Sequence, residues 1–274
     1  MTQEFPARRF SLIIVGDEIL SGRREDKHLS KVIALLGERG LSLSHAELLP
    51  DDFDTLVEAY RRSFARGDIV FSCGGIGATP DDKTRQAAAR ALDVPLALHP
   101  EAVRLITERC AEMAEKGSGS ADMNTPENQQ RLQMGVFPEG AEVVPNPYNR
   151  IPGFFIHDHT FLPGFPVMAW PMIEWTLDYR YADLQHRQNR VEYSFLVFKM
   201  PESRITPAME EVERRWPGVS AFSLPTVGDG QGTMPHIDLG VKGEPEAAAQ
   251  ALAYLRDEVV RLGGLLQAPA AHQA

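Results

Sequence analysis

The chain has 274 residues and a formal net charge of −10 at pH 7, with a pI near 5.3. That acidic balance argues against an extended nucleic-acid surface or an anionic-membrane surface. At 43% hydrophobic and 24% charged residues the composition is that of a globular protein with enough apolar surface for a core, and no apolar run approaches membrane-spanning length.

The length suggests one large or two ordinary domains. The first nine residues lack the apolar centre of a signal peptide. Cys73 and Cys110 stand in unrelated contexts and form neither a metal-spaced pair nor a disulfide framework. A cytoplasmic protein is expected. Residues 10–15 (FSLIIV) read as a buried strand. Leu29, Val32, Ile33 and Leu36 recur at helical spacing, with Gly40 as a stop. A strand over 41–49, a helix over 55–66, a strand over 69–73, a helix over 81–92 and a helix over 100–116 follow. This alternation predicts an α/β fold: a mostly parallel sheet with helices on both faces. Residues 117–121 break the pattern. A helix over 126–134, a turn-rich loop over 145–153, two short strands over 154–156 and 160–162, and a helix over 167–177 complete a first domain at 1–180. The polar stretch 181–190 reads as a linker. Strands at 191–199, 219–224 and 236–242 and helices at 206–215 and 245–262 predict a small α+β domain over 191–266. An Ala-rich, frayed tail is expected over 267–274.

The most informative segment is IVFSCGGIGATPDDKT, residues 69–84. An apolar strand ends in a glycine turn, where Gly74, Gly75 and Gly77 let the backbone bend sharply and lie close to a ligand. Thr79 suits an N-cap, Pro80 the first helical position, and Asp82 the capping-box position. A strand, a glycine turn and a helix start make an anion site. Carboxylates beside a phosphate repel it unless a divalent cation lies between, so Asp81 and Asp82 suggest a metal-assisted phosphate ligand. The alternative is a tight turn with no ligand. GDEILSG, residues 16–22, follows the first strand and brings Gly16, Asp17, Glu18, Ser21 and Gly22 toward the same crevice. Asp26 reads as a cap or first-turn acid, or as a ligand. Asp51 and Asp52 follow the second strand, as metal ligands or as a cap. Acids at Asp17, Asp51 and Asp81/Asp82, after three neighbouring strands, point to metal or ligand contact.

GDEILSG, LPDD and CGGIGATPDDKT, in that order, resemble the molybdopterin-binding (MoaB/Mog) fold. The resemblance is nearest to the N-terminal part of CinA-type competence/damage-inducible proteins, and it spans about residues 10–177. Later matching segments include FPEGA at 137–141, Asn146-Pro147, PGF at 152–154 and LPGFP at 162–166. The resemblance implies a pocket that also includes Thr84, Asn146, Pro163 and Gly164. It implies that Asp51 and Asp82 are catalytic or metal-linked, with Asp81 in the metal set. It implies Mg²⁺ or another divalent metal, and molybdopterin or an adenine nucleotide as ligand. The chemistry it implies is adenylyl transfer to molybdopterin, or cleavage of an ADP-ribose-type pyrophosphate. The amidohydrolase domain of full-length CinA proteins has no counterpart in these residues, so deamidation of nicotinamide nucleotide is not implied. A homo-oligomer, with a dimer favoured, is expected.

Three loops depart from the family pattern. Asp26-Lys-His28 stands for Asp-x-Asn, Asn146-Pro-Tyr-Asn-Arg-Ile-Pro-Gly153 for Asn-Pro-x-Gly/Ser-x-Ala-Pro-Gly, and Val167-Met-Ala169 for Ser-Glu-Met. Arg150 is a candidate phosphate clamp, with Asn149 taking left-handed angles beside it. The glycine and aspartate loops favour an enzyme. The altered loops favour a ligand-binding or regulatory module that keeps the pocket without turnover. His157-Asp158-His159 reads as a polar hairpin tip with ligand-like alternation. Cys73 reads as a buried strand end, and Trp170, Trp175 and Tyr179 as packing.

Overall fold

A computed structural model describes residues 8–186, 190–228 and 234–267. These residues form two compact units that divide between Gln185 and His186.

In chain order the first unit contains β1 (Phe10–Val15), α1 (Asp17–Leu20), α2 (His28–Gly37), β2 (Leu43–Leu49), α3 (Phe53–Arg66), β3 (Ile69–Cys73), α4 (Thr84–Leu92), β4 (Leu96–Leu98), α5 (Pro100–Glu115), α6 (Pro126–Leu132), β5 (Val136–Pro138), β6 (Glu142–Val144), β7 (Gly153–Ile156), β8 (His159–Leu162) and α7 (Pro166–Arg180). Six strands pair in the order β2-β1-β3-β8-β7-β6. The first four run parallel, and β7 turns antiparallel to both neighbours. Every residue of β1 and β3 is buried. Strands covered on both faces need such continuous apolar runs. Alternate side chains of β1 serve opposite layers. Ile13 and Val15 pack with Leu56, Tyr60 and Ala88 from α3 and α4. Phe10, Leu12 and Ile14 pack with Val32, Leu36, Met172 and Ile173 from α2 and α7.

Several boundaries differ from the sequence expectation. α4 begins at Thr84 rather than at 81. The Asp82 carboxylate accepts the Thr79 N–H at 2.9 Å and the Thr79 hydroxyl at 2.5 Å, while the Asp82 N–H returns to the Thr79 carbonyl at 3.0 Å. The capping-box pair therefore closes a separate turn ahead of the helix. Strands β4, β5 and β6 were not anticipated, because three residues are too few to show alternation. Residue 181 does not open a linker. Tyr181 is buried, its hydroxyl donates to Asp158 at 2.9 Å, and its ring meets Phe10 edge-on at 5.9 Å. Residues 187–189 of that stretch lie outside the described residues.

The second unit contains β9 (Val191–Phe198), α8 (Thr206–Arg215), β10 (Ser220–Thr226), β11 (His236–Gly243), α9 (Pro245–Arg261) and β12 (Leu265–Gln267). Its sheet is antiparallel, in the order β10-β11-β9-β12. Phe195, Val197, Leu239 and Val241 pack against Val212 of α8 and Leu255 and Val259 of α9. Gln267 is not frayed, since it pairs with Leu196. Residues 268–274 lie outside the described residues.

The β7–β8 hairpin turns through His157 (φ 47°) and Asp158 (φ 60°), both left-handed, as a tight two-residue hairpin requires. This is the polar tip expected from the sequence. Beyond it His159 is buried, with Nδ1 at 2.8 Å from the His157 carbonyl and Nε2 at 2.8 Å from the Ser63 hydroxyl. A carbonyl can only accept, so Nδ1 carries the proton and Nε2 accepts from Ser63. Burial pushes the His159 pKa down to about 4. The folded state thus holds a neutral ring, whereas an unfolded histidine titrates near about 6.5. This stabilising contribution is complete above the unfolded pKa and is lost as pH falls toward the folded one. The expected loss is about 2 kcal/mol between about pH 7.5 and about pH 5. Urea unfolding of the parent across that interval should show it, and His159→Phe should flatten the slope by that amount.

Candidate functional site

The carboxyl ends of β1, β2, β3 and β8 converge on a cleft of about 460 Å³. Val15 and Gly16 close β1, Asp51 follows β2, the glycine loop follows β3, and Pro163-Gly164-Phe165 follows β8. This is where an open parallel sheet leaves room for a ligand, because helices and loops diverge beyond the last strand residues.

The glycine loop takes its shape from contacts that no side chain tolerates. Gly74 has φ 110°, and a Cβ there would lie 2.2 Å from the Val15 carbonyl oxygen. Gly75 has φ 69°, and a Cβ would meet the Thr84 hydroxyl at 2.3 Å. Thr84 is fully buried beneath the loop, its hydroxyl bonded to the Gly74 carbonyl and its N–H to the Gly75 carbonyl, each at 3.0 Å. Among the described residues the N–H groups of Gly75, Ile76, Gly77 and Ala78 have no hydrogen-bond partner. All four residues line the cleft. Successive unpaired N–H groups of this kind form an anion-binding concavity.

Glu18, Asp51, Asp81 and Asp82 line the same cleft, with Arg24 as the basic side chain among the described lining residues. Asp82 Oδ2 is held by Thr79, whereas Oδ1 has no protein partner among the described residues. Gly77 makes room for this carboxylate, since a Cβ there would lie 2.4 Å from Asp82 Oδ2. Asp51 is arranged alike. Its Oδ2 accepts the Asp17 N–H at 2.9 Å, and the Asp51 N–H reaches back to Asp17 Oδ1 at 3.3 Å. Partial burial, then the nearby charges of Asp17, Glu18 and Asp81, push the Asp51 carboxyl above the usual carboxylate range. Among the described residues no three His, Cys, Asp or Glu side chains are grouped to hold a metal ion.

Of the remaining sequence candidates, Gly16, Glu18, Gly77, Thr79, Asn146, Pro163 and Gly164 line the cleft, and Asp17, Ser21, Gly22, Thr84 and Arg150 do not. Asp17 instead ties the β1 end to the β2 end through Asp51. Ser21 caps α1 through its N–H to the Asp17 carbonyl, and Gly22 is an exposed turn residue at φ 70°. Thr84 supports the loop from below. Arg150 corrects the clamp expectation. It is Arg150, not Asn149, that takes left-handed angles (φ 65°), and its guanidinium pairs with Glu112 at 2.7 Å and Glu108 at 3.3 Å on α5. Asn146 is buried and organises its loop by donating to Asn149 at 2.8 Å and to the Ile151 carbonyl at 3.0 Å. Asp52 is the N-cap of α3, and Asp26 accepts the N–H groups of His28 and Leu29. His28 Nε2 lies 3.0 Å from the Gly164 carbonyl. Cys73 is fully buried, which pushes its thiol up and away from reactivity. Ile76, Met134, Ile151, Pro152, Phe165 and Met168 give the cleft an apolar side facing its acidic one.

Two residues at this site gave no sequence signal. Arg85 is 4% exposed and donates to the Gly77 carbonyl at 2.5 Å and the Gln133 carbonyl at 2.7 Å. Gln130 donates its side-chain amide to the Ala78 carbonyl. Their partners are carbonyls 8 to 52 residues away, and a backbone acceptor leaves no mark in a sequence.

Comparison with known proteins agrees with this fold. A protein of Pyrobaculum arsenaticum is 30% identical over 248 residues, covering 88% of this chain and 89% of that one. A CinA-like protein of Anaeromyxobacter dehalogenans strain 2CP-C is 30% identical over 273 residues, covering 92% of this chain but 59% of that one, so the chain spans about three-fifths of this relative. The crystal structure of a CinA protein from Thermoplasma acidophilum, described as of unknown function, is 25% identical with a TM-score of 0.53, covering 65% of this chain and 99% of that one. A family model described as "Probable molybdopterin binding domain" matches residues 11–182. The chain belongs to the molybdopterin-binding domain family and has CinA-like proteins among its relatives.

Proposed function

We propose that the cleft binds a phosphorylated pterin or nucleotide together with a divalent cation, and that it either cleaves a nucleotide pyrophosphate with water to give two monophosphates or joins the adenylyl group of ATP to a pterin monophosphate with release of pyrophosphate. The observation that carries this reading is the pairing of unpaired N–H groups at residues 75–78 with the free carboxylate oxygens of Asp51 and Asp82 in one cleft. The N–H groups suit non-bridging phosphate oxygens. The carboxylates alone would repel them. A protein-only metal cage is not needed, because Mg²⁺ commonly takes one or two carboxylates and completes its shell with water and phosphate oxygens. Asp51 and Asp82, each with one oxygen anchored and one free, suit that partial role. When bound, the cation would neutralise charge on the pyrophosphate. The apolar side from Met134 to Met168 accepts the flat ring of a pterin or purine.

A non-catalytic binding module is a second reading, favoured by Met168. Its thioether accepts from the Asn149 amide at 3.5 Å and lines the cleft at a position where the resembled pattern carries an acid. A thermal-shift screen of ATP, AMP, ADP-ribose and molybdopterin, with and without Mg²⁺, separates these readings once the best binder is followed by phosphorus NMR. A ligand at 100 times its Kd should stabilise the fold by about 2.7 kcal/mol. Steady release of monophosphates, or of pyrophosphate when ATP and molybdopterin are supplied together, supports an enzyme, and binding without turnover supports the module. No Mg²⁺-dependent shift with any of the four would sink the proposal.

Asp82→Asn is expected to abolish most of the Mg²⁺-dependent binding. An asparagine carbonyl can still accept from Thr79, so folding stability should change by less than about 1 kcal/mol. Calorimetry and thermal unfolding of the same sample check both halves. A second expectation concerns pH. Cation binding needs Asp51 ionised, and its pKa is raised, so Mg²⁺-dependent affinity should begin to fall at a higher pH than an ordinary aspartate would dictate. Asp51→Asn should remove that pH dependence along with most of the affinity.

A further inference from the structure

We infer that Arg85 and Gln130 are positioning residues for the anion site: they hold the carbonyls of Gly77 and Ala78 backward, so that the intervening N–H faces the cleft. This inference rests on the phosphate reading above. In a trans peptide the C=O of one residue and the N–H of the next point to opposite sides of the bond, and the described chain contains no cis peptide. Each carbonyl that is pinned on one side therefore aims the following N–H to the other. Thr84 pins the Gly74 and Gly75 carbonyls, which turns out the N–H groups of Gly75 and Ile76. Arg85 pins the Gly77 carbonyl, which turns out the Ala78 N–H. Gln130 pins the Ala78 carbonyl and so turns the Thr79 N–H, which Asp82 then accepts at 2.9 Å. Three free donors and one anchored carboxylate thus owe their direction to groups outside the cleft: the Thr84 hydroxyl and N–H and the Arg85 and Gln130 side chains.

Arg85 contributes in two further ways. Its fork also holds the Gln133 carbonyl, next to Met134 on the cleft's apolar side, and so joins the two walls. It is also a buried cation directly behind the glycine loop. Among the described residues its side chain makes hydrogen bonds to carbonyls and has no carboxylate ion pair. Burial pushes its pKa down to about 10, with the charge of Asp82 opposing that, so it stays charged at neutral pH. A bound phosphate would face this charge across one peptide layer, where low dielectric weakens screening. A lysine could keep the charge but not span two carbonyls.

The test titrates inorganic pyrophosphate with excess Mg²⁺ into the parent, Gln130→Ala, Arg85→Lys and Arg85→Met, by calorimetry, with thermal unfolding of each. Gln130 is exposed, so Gln130→Ala should fold like the parent and bind several-fold more weakly. Arg85→Lys should bind about tenfold more weakly, the size of one lost hydrogen bond to a charged group, and Arg85→Met more weakly still. Amide NMR supplies a readout that a merely structural role would not move. Pyrophosphate should shift the Ala78 amide in the parent and fail to do so in the Arg85 variants, while the Gly75 and Ile76 amides, set by Thr84, still respond. If the Arg85 variants do not fold, Gln130→Ala and the Thr79 amide decide the matter. Parent-like affinity and parent-like shifts in folded variants would overturn this inference alone. Failure of the parent to bind pyrophosphate would overturn the phosphate reading and this inference with it.

Discussion

The cleft depends on one close approach of backbone to backbone, at Gly74. Its N–H donates to the Leu162 carbonyl of β8 at 2.9 Å, while the space a Cβ would need is taken by the Val15 carbonyl of β1. Three parallel strands therefore meet at a residue without a side chain. The angle forced there, φ 110°, is one that other residues rarely adopt. From that point the chain cannot continue as a strand and must turn across the sheet's edge. The Gly16 N–H reaches the Leu49 carbonyl of β2 at 3.0 Å, so the end of β1 is fixed to both neighbours. The acid loops after β1 and β2 then lie beside the glycine loop because the strands that carry them are tied at their last residues.

Once the loop is in place, the electrostatics follow from what is left unpaired. Unpaired N–H groups offer partial positive charge, and Asp51, Asp81 and Asp82 offer negative charge, while Glu18 is paired with Arg24 at 3.7 Å. Neither set satisfies the other, since the carboxylates that are bonded use Asp17 and Thr79 rather than the N–H groups at residues 75–78. A ligand that satisfied both would have to bring an anion and a cation together. A bare anion would meet Asp51 and Asp82, and a bare cation would find no complete cage among the described residues. On the proposed reading, the site discriminates against free phosphate and free metal by the same arrangement that accepts their complex.

Much of this was legible in the sequence, for identifiable reasons. Continuous apolar runs at Phe10–Val15 and Ile69–Cys73 announce doubly covered strands, and Gly74-Gly75 announces a turn that only glycine can make. What was not legible depends on partners distant in the chain. Arg85 on a helix reads as a solvated side chain until the Gln133 carbonyl, 48 residues on, is brought beside it. Arg150 in a polar loop reads as a free donor until α5 supplies Glu108 and Glu112. The error at Asp82 was of another kind. One of the two expected capping-box bonds forms, from the Thr79 N–H to the Asp82 carboxylate, but the Asp82 N–H goes to the Thr79 carbonyl instead of its hydroxyl. The helix starts only at Thr84, which is drawn down to the Gly74 and Gly75 carbonyls, so the loop's own anchoring overrides the local signal.

The turned-away Arg150 also bears on how the ligand's other end is recognised. Its ion pairs are half-exposed, and pairs of that kind contribute about 1 kcal/mol or less. The loop after β6 is held more firmly by buried Asn146, whose amide spans the turn from Asn149 to Ile151. The Arg150 pairs lie outside the cleft lining, whereas Asn146, Asn149 and Ile151 all line it. Ile151, Pro152 and Met168 are therefore set in position before any ligand arrives, and they present shape rather than charge. The two sides of the cleft then divide recognition between them. On the proposed reading, the glycine and aspartate side takes the phosphate, through backbone donors that any phosphorylated compound can use. Selection among such compounds would then fall to the apolar side, where two loops, at 146–153 and 167–169, differ from the pattern they otherwise resemble. On the proposed reading, the glycine and aspartate loops take the phosphate end of a ligand, and Met134, Ile151, Pro152, Phe165 and Met168 meet its ring.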